Sequence, residues 1–223
     1  MTGTPPTATT LPADLLREAA ALPTATLHEA AGKIGALPAA VKPVRPGMRL
    51  AGPALPVLSP PGDNLWLHRA IYAAQPGDVL VVVFGEGSDP LEFGHWGEVM
   101  AVAALECGIA GLVIDGGVRD ADQLATRGFP TFASSVSIRG TGKDPEGTGA
   151  VGAPVRIGEV NVHRGDLVVG DGDGVVVLPA ARAGGVVQAA RERETAEQEI
   201  FARLAAGEST LDVYRLPGER SAS

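Results

Sequence analysis

A single cysteine, three lysines and an aromatic content of 4% set the first limits on this chain. One thiol, Cys107, excludes an internal disulfide and suits a reducing compartment. Its alanine-rich surroundings fit a small core residue better than a nucleophile. Imine chemistry needs a desolvated lysine. Of Lys33, Lys42 and Lys143, only Lys143 falls near a candidate site, in a glycine-rich stretch, so that chemistry is not expected. Basic clusters are missing and the net charge is -8, which argues against a nucleic-acid partner. No apolar run approaches the roughly 18 residues that span a bilayer, so no membrane segment is expected. The N-terminus has neither the basic start nor the apolar centre of a secretory leader. His28, His68, His95 and His163 never fall at H-x-x-x-H spacing, which leaves a zinc site of that kind unsupported. These absences lead to the expectation of a soluble, cytoplasmic protein.

What is present is 223 residues, 45% hydrophobic and 20% charged, enough for one domain with a sizeable core. Residues 1–10 are Thr/Pro-rich and read as disordered, residues 11–211 as one domain, and residues 212–223 as a flexible tail. Helices are expected over Leu11–Leu22 and Thr26–Ile34, the second capped by Thr24. Six prolines between Pro43 and Pro61 suggest edge strands and turns. Asn64–Ala74 reads as a helix, "DVLVVVFG" as a buried strand, "EGSDPLEFGHW" as a loop and Gly97–Cys107 as a helix. Gly111–Asp115 is a strand that Gly116-Gly117 should turn, followed by a short helix over Ala121–Arg127 and a strand at Thr131–Ala133. "RGTGKDPEGTGA" reads as a mobile or ligand-covering loop. Residues 156–179 read as consecutive antiparallel strands, and Arg182–Leu204 as a long helix. Helices alternating with strands, then a run of strands, describe a mixed α/β domain.

Three stretches can carry chemistry. A helix beginning at Gly97-Glu98 presents the free backbone amides of Val99 and Met100, which can hold an anion; an ordinary strand-loop-helix junction looks the same. "GGVRD" puts Arg119 and Asp120 just past the end of a strand. They are either a surface ion pair or two groups used separately, with the guanidinium on a carboxylate or keto oxygen and the carboxylate on Mg²⁺ or Mn²⁺. "GDGDG" (170–174) lacks the glutamate and spacing of a calcium loop and reads as a hairpin turn. The glycines of 140–149 follow no strand and open no helix, so no dinucleotide fingerprint is present. His95 neighbours the anion site and is a candidate substrate contact, whereas His28, His68 and His163 read as structural or exposed.

The series "WGEVMAVAALECGIAGLVIDGGVRD", then "GFPTFA", then "GDLVVGDGDGVVVLP" resembles the family of 4-hydroxy-4-methyl-2-oxoglutarate aldolases and regulators of ribonuclease activity A. The likeness runs from about Thr24 to Leu211. It implies a swivelling β/β/α-type single α/β domain with peripheral N- and C-terminal helices, assembled as a homotrimer or hexamer. The aldolase branch implies a divalent-metal-dependent retro-aldol cleavage of a 4-hydroxy-2-oxo acid to pyruvate, with oxaloacetate decarboxylation as a side activity. By that resemblance Asp120 binds the metal, Arg119 holds the keto oxygen, and the amides of Val99 and Met100, after Gly97, hold the substrate carboxylate. Glu98 acts on a metal-bound water, and Glu197 of the long helix, chosen among Glu192, Glu194, Glu197 and Glu199, reaches a neighbouring subunit's site. The regulator branch implies instead a non-catalytic protein that binds an RNA-processing ribonuclease. A related enzyme on a different acid is the third reading.

Two positions depart from the family pattern. Glu98 stands where the aldolases have Asp, one methylene shorter, which puts the position of the water and the substrate choice in doubt. Arg164 replaces the proline of a "V-x-P-G-D" turn, a change expected to be structural.

Overall fold

The computed structural model describes residues 11–217, so the expected unstructured segment 1–10 and the last six residues lie outside the described residues. In chain order the elements are α1 (Ala13–Ala21), α2 (Thr24–Ala30), β1 (Lys42–Pro43), β2 (Leu50–Ser59), α3 (Leu65–Ala73), β3 (Val79–Phe84), α4 (Glu98–Glu106), β4 (Gly111–Val118) and α5 (Ala121–Arg127). There follow β5 (Thr131–Val136), β6 (Ala150–Val151), β7 (Val155–Ile157), β8 (Val160–Val162), β9 (Leu167–Asp171), β10 (Gly174–Leu178), α6 (Ala180–Ala205) and α7 (Thr210–Val213). The loop expected before α4 contains one 3-10 turn, Pro90–Glu92, capped by the Asp89 carboxylate.

The main sheet runs β1-β5-β4-β3-β2-β9-β10, parallel from β2 to β5 and antiparallel beyond. Its two ends are joined by one stretch of chain. Leu37 donates to the Val175 carbonyl and Val177 to that of Gly35, while Lys42 and Pro43 pair with β5. Residues 35–43 thus bridge from β10 to β5 and nearly close the sheet into a barrel.

The run "VLVVVF" of β3 is apolar at every position because both faces are covered. Val79, Val81 and Val83 point into the barrel, and Leu80 and Val82 face a layer made by α3, α4 and α5. A third apolar layer sets α1, α2 and α6 over β9 and β10, through Leu27, Leu167, Val176, Val186 and Val187. The fold is therefore the expected swivelling β/β/α-type domain with peripheral terminal helices, and α6 runs as the expected long helix.

Three local expectations are corrected. The prolines did not make an edge strand, since β2 lies mid-sheet between β3 and β9. Pro53 falls where β2 exchanges β9 for β3, and Pro56 faces its nitrogen away from β3, on the side where its carbonyl accepts from Gly152. A missing ladder bond is worth about 1 kcal/mol, less than the roughly 1.5–3 kcal/mol from burying each of Leu55 and Val57. Nor do Gly116 and Gly117 turn the chain; β4 continues to Val118 with a register shift after Ile114. The glycines are needed for close approach, because a Cβ would lie 2.5 Å from the Phe84 ring at Gly116 and 2.4 Å from the Phe93 carbonyl at Gly117. Finally, Thr24 does not cap α2 with its own side chain. Asp171, on β9, accepts from both its backbone N–H (2.9 Å) and its hydroxyl (2.7 Å), supplying the negative charge from across the fold.

Candidate active site

At the carboxyl end of β4 the chain must swing into α5 within two residues, Arg119 and Asp120. Asp120 makes that turn in the left-handed region, at φ 57° and ψ 38°. For a residue other than glycine this conformation costs about 1–3 kcal/mol and persists only where the surroundings hold it. Two contacts do so: the Asp120 carbonyl accepts from Leu124 at 2.8 Å, and its Oδ2 accepts from the Glu98 N–H at 3.0 Å.

The second contact joins the two halves of the site. Gly97 precedes α4 in extended backbone, and a Cβ there would stand 2.5 Å from Asp120 Oδ2 and 3.0 Å from Arg119 Cγ. Only a glycine lets the β4 end approach the helix start so closely. The Arg119 N–H donates to the Trp96 carbonyl at 2.8 Å, fixing the two segments in register. Gly97, Glu98, Arg119 and Asp120 are thereby brought together. The amides of Val99 and Met100 open the first turn of α4, where no helix carbonyl can reach them.

Arg119 Nε lies 3.7 Å from Asp120 Oδ2, with the two side chains 47% and 40% exposed. The two charges thus stand at ion-pair distance, one of the two arrangements left open by the sequence. The separation is nonetheless too long for a hydrogen bond, and an exposed pair is worth no more than about 1 kcal/mol. A competing anion could therefore draw the guanidinium away at little cost.

Glu98 has a partner that local motifs did not reveal. Arg127, in the last turn of α5, grips Glu98 Oε1 through Nε (2.9 Å) and Nη2 (2.8 Å). The contact arises from the packing of α5 beside α4, and only the β-α-β alternation in the sequence hints at it.

His95 is not a substrate contact. Its ring is fully buried, packed with its centroid 4.0 Å from that of Phe84 at a tilt of 35°, and accepts the Gly62 N–H at Nε2 (3.0 Å). Burial pushes its pKa down to about 4 against the opposing pull of the Gly117 and Phe93 carbonyls and the Asp63 charge. His28 rests against the Ile34 carbonyl, His68 is half-buried and His163 is exposed.

The remaining candidates lie elsewhere. Within one chain Glu197 pairs with Arg193 at 3.2 Å on α6, a helix that packs against α1 and α2 rather than α4. Glu194 is tied to the Thr26 hydroxyl and Glu192 to Gln188. The glycine-rich loop is fastened to the start of α3: Trp66 donates to the Gly147 carbonyl and the Asp144 N–H to Asp63 Oδ2. "GDGDG" forms the β9–β10 hairpin turn. Arg164 is structural, bonding the Ala54 carbonyl (3.0 Å) and the buried Asp78 carboxylate (2.7 Å).

Among the described residues no three His, Cys, Asp or Glu side chains cluster as a metal cage, and no helix is long and apolar enough to cross a membrane. Asp120 is a hard oxygen donor at a half-open position. That suits Mg²⁺ or Mn²⁺, which commonly keep several waters and take one or two protein carboxylates plus substrate oxygens.

Comparison with known proteins matches residues 24–177 to the model of the RraA-like family, described as Aldolase/RraA. A Halalkalibacterium halodurans protein provisionally named 4-hydroxy-4-methyl-2-oxoglutarate aldolase is 31% identical over 83% of this chain and 86% of its own. An uncharacterized protein of Pseudomonas syringae pv. tomato superposes with a TM-score of 0.79 at 32% identity, covering 97% of this chain and 99% of the other. Streptomyces coelicolor RraAS2, described as an unusual member of the RNase ES inhibitor RraA protein family, gives 0.72 at 29% identity, covering 87% and 98%.

Proposed function

The chain belongs to the RraA-like, Aldolase/RraA family, and from that premise we propose that it is a carbon–carbon lyase. Its substrate is 4-hydroxy-4-methyl-2-oxoglutarate or a related 4-hydroxy-2-oxo acid, cleaved to pyruvate with Mg²⁺ or Mn²⁺, and oxaloacetate is decarboxylated at the same site. The observation that carries this reading is the meeting of Arg119, Asp120 and the first turn of α4 at one strand end.

Asp120 would hold the divalent ion, which when bound acts as a Lewis acid on the 2-oxo acid. The Val99 and Met100 amides receive the substrate carboxylate in the field of the α4 N-terminus. Arg119 places a permanent positive charge at the keto oxygen, where negative charge develops as the C3–C4 bond breaks. The electron pair of that bond moves to the oxygen, giving pyruvate enolate. The C4 hydroxyl loses its proton as C4 becomes the carbonyl carbon of the second product, and a proton returned to C3 completes pyruvate. Glu98 meets Arg127 through Oε1, and its Oε2 is the position from which it would accept and return a proton by way of water. Loss of CO₂ from oxaloacetate yields the same enolate, so one arrangement of charge serves both reactions.

The proposed assembly is a homotrimer or hexamer with the site at a contact between copies. Apolar side chains around the site support it: Val99 is 79%, Val136 56% and Ile138 95% exposed, and Val136 pairs beside Val118, next to Arg119. The residue proposed to complete the site from a neighbouring copy is Glu197, as the family resemblance implies.

Asp120→Ala tests the reading. It should abolish metal-dependent pyruvate release while the thermal melt stays within a few degrees of the parent. Full turnover in the variant would remove Asp120 from the site. The kinship with RNase ES inhibitor RraA proteins favours one second reading, a non-catalytic regulator of a ribonuclease. That reading takes over if no pyruvate forms from either substrate with either ion.

A further inference from the structure

His95 is fully buried between Phe84 and Phe93, and each of its polar atoms is used. Its backbone N–H donates to the Gly117 carbonyl at 2.9 Å, and ring Nδ1 lies 3.3 Å from that same oxygen. Because Nε2 accepts from the Gly62 N–H, the proton belongs on Nδ1, so the surroundings admit one neutral tautomer. Its carbonyl accepts from Asn64 Nδ2 at 3.0 Å, and that nitrogen also lies 3.5 Å from the sulfur of Met100, in the first turn of α4. Gly62 and Asn64 in turn anchor Gly142 in the glycine-rich loop, by bonds of 2.8 and 3.2 Å.

The two residues after His95 belong to the site. The Trp96 carbonyl takes the Arg119 N–H, and Gly97 abuts Asp120. A three-residue segment therefore runs from a buried polar knot directly into the contacts that set α4 against Arg119 and Asp120.

We propose that His95, with Asn64, is a positioning residue of the lyase site: it holds the segment His95-Trp96-Gly97 so that the first turn of α4 stands in register with Arg119 and Asp120. This rests on the lyase reading above for its kinetic consequence, but not for its structural one. His95→Phe keeps an aromatic ring against Phe84 and removes both ring bonds. A glutamine keeps an acceptor for Gly62 and a donor for Gly117. A purely stabilising histidine would change the melting temperature alone.

The test uses the full chain as wild type, His95→Phe and His95→Gln. Hydrogen exchange by mass spectrometry over residues 93–101 and 117–121 reports the amides of Glu98, Ala101 and Arg119, which close this register. Exchange there should rise at least about tenfold in His95→Phe, with β3 and β9 unchanged, and most of the protection should return in His95→Gln. With oxaloacetate and Mg²⁺, kcat of His95→Phe should fall by about ten- to a hundredfold, as an ångström-scale misplacement does, while KM stays within about threefold. Unchanged exchange at those amides, or exchange raised equally across β3 and β9, overturns the proposal. So does a kcat within about threefold of an active wild type. If the wild type itself releases no pyruvate, the lyase reading fails and the exchange result alone decides the positioning role.

Discussion

Replacing Gly97 by alanine adds one methyl group at the closest approach in the site. The backbone there is extended, φ -156° and ψ -171°, which alanine adopts without strain. The methyl carbon, however, would lie 2.5 Å from Asp120 Oδ2, with Arg119 Cγ at 3.0 Å and Nε at 3.1 Å. Ordinary contact needs about 3.4 Å, so the carboxylate must retreat by about 0.9 Å or rotate off the Glu98 amide. Both carboxylate and guanidinium are half-exposed and free to move outward. The cost to folding should therefore be modest, about 1–2 kcal/mol for the lost bond and pair together. Catalysis is far less tolerant, because a misplacement of about 1 Å costs on the order of a hundredfold, or roughly 2.7 kcal/mol of activation free energy. Pyruvate release, coupled to lactate dehydrogenase, and a thermal melt of the same preparation separate the two effects. The expected result is a melt within about 8 °C of wild type and a kcat/KM lowered by about a hundredfold. A variant that folds and keeps kcat/KM within threefold would show that the Gly97–Asp120 contact is not part of the reacting geometry.

Three further predictions concern stability and assembly. Arg164→Ala leaves the Asp78 carboxylate, 1% exposed, without its cation; the loss should be about 3–5 kcal/mol, read as a drop of roughly 6–20 °C in Tm, and a drop under 2 °C would show the pair to be dispensable. The lowered pKa of His95, about 4 against 6.5 in the unfolded chain, means that the unfolded state takes up the proton first as the pH falls. Its contribution is complete above about 6.5, declines through that window and levels off below 4. Urea unfolding at pH 7 and pH 4.5 should thus cost the wild type about 2 kcal/mol more than His95→Gln, and equal losses would refute the assignment. For the shared site, inactive Asp120→Ala and Glu197→Gln chains, refolded together with mixed assembly verified by mass, should regain part of the decarboxylase activity; inactive mixed assemblies would put the whole site in one chain.

Much of this architecture was legible because burial writes itself into composition. The unbroken run of β3 and the span of α5 follow from local pattern, and so does the position of Arg119 and Asp120 past a strand end. What escaped was decided by partners remote in sequence. Proline content argued β2 to an edge, yet its central place depends on β9 and on which side Pro56 turns its nitrogen. Gly116-Gly117 looked like a turn because the ring and carbonyl that crowd them, from Phe84 and Phe93, lie on other segments. Likewise nothing beside Glu98 announces Arg127, and nothing beside His95 announces that Gly62 will bury it as an acceptor.

The central place of β2 also orders events during synthesis. Strands β2 to β5 can pair in turn as they leave the ribosome, because each meets a neighbour close behind it in the chain. On the other edge of β2, Val57 and Leu58 meet β6, but Leu50–Pro53 wait for β9, which begins only at Leu167, and residues 35–37 wait longer still for β10. Until then a nascent chain displays an open, apolar strand edge of the kind that recruits foreign strands. Closure across such sequence distances is slow, since the loop entropy must be spent before the contacts reward it. A chain interrupted before Leu167 would thus be an aggregating fragment rather than a smaller folded domain.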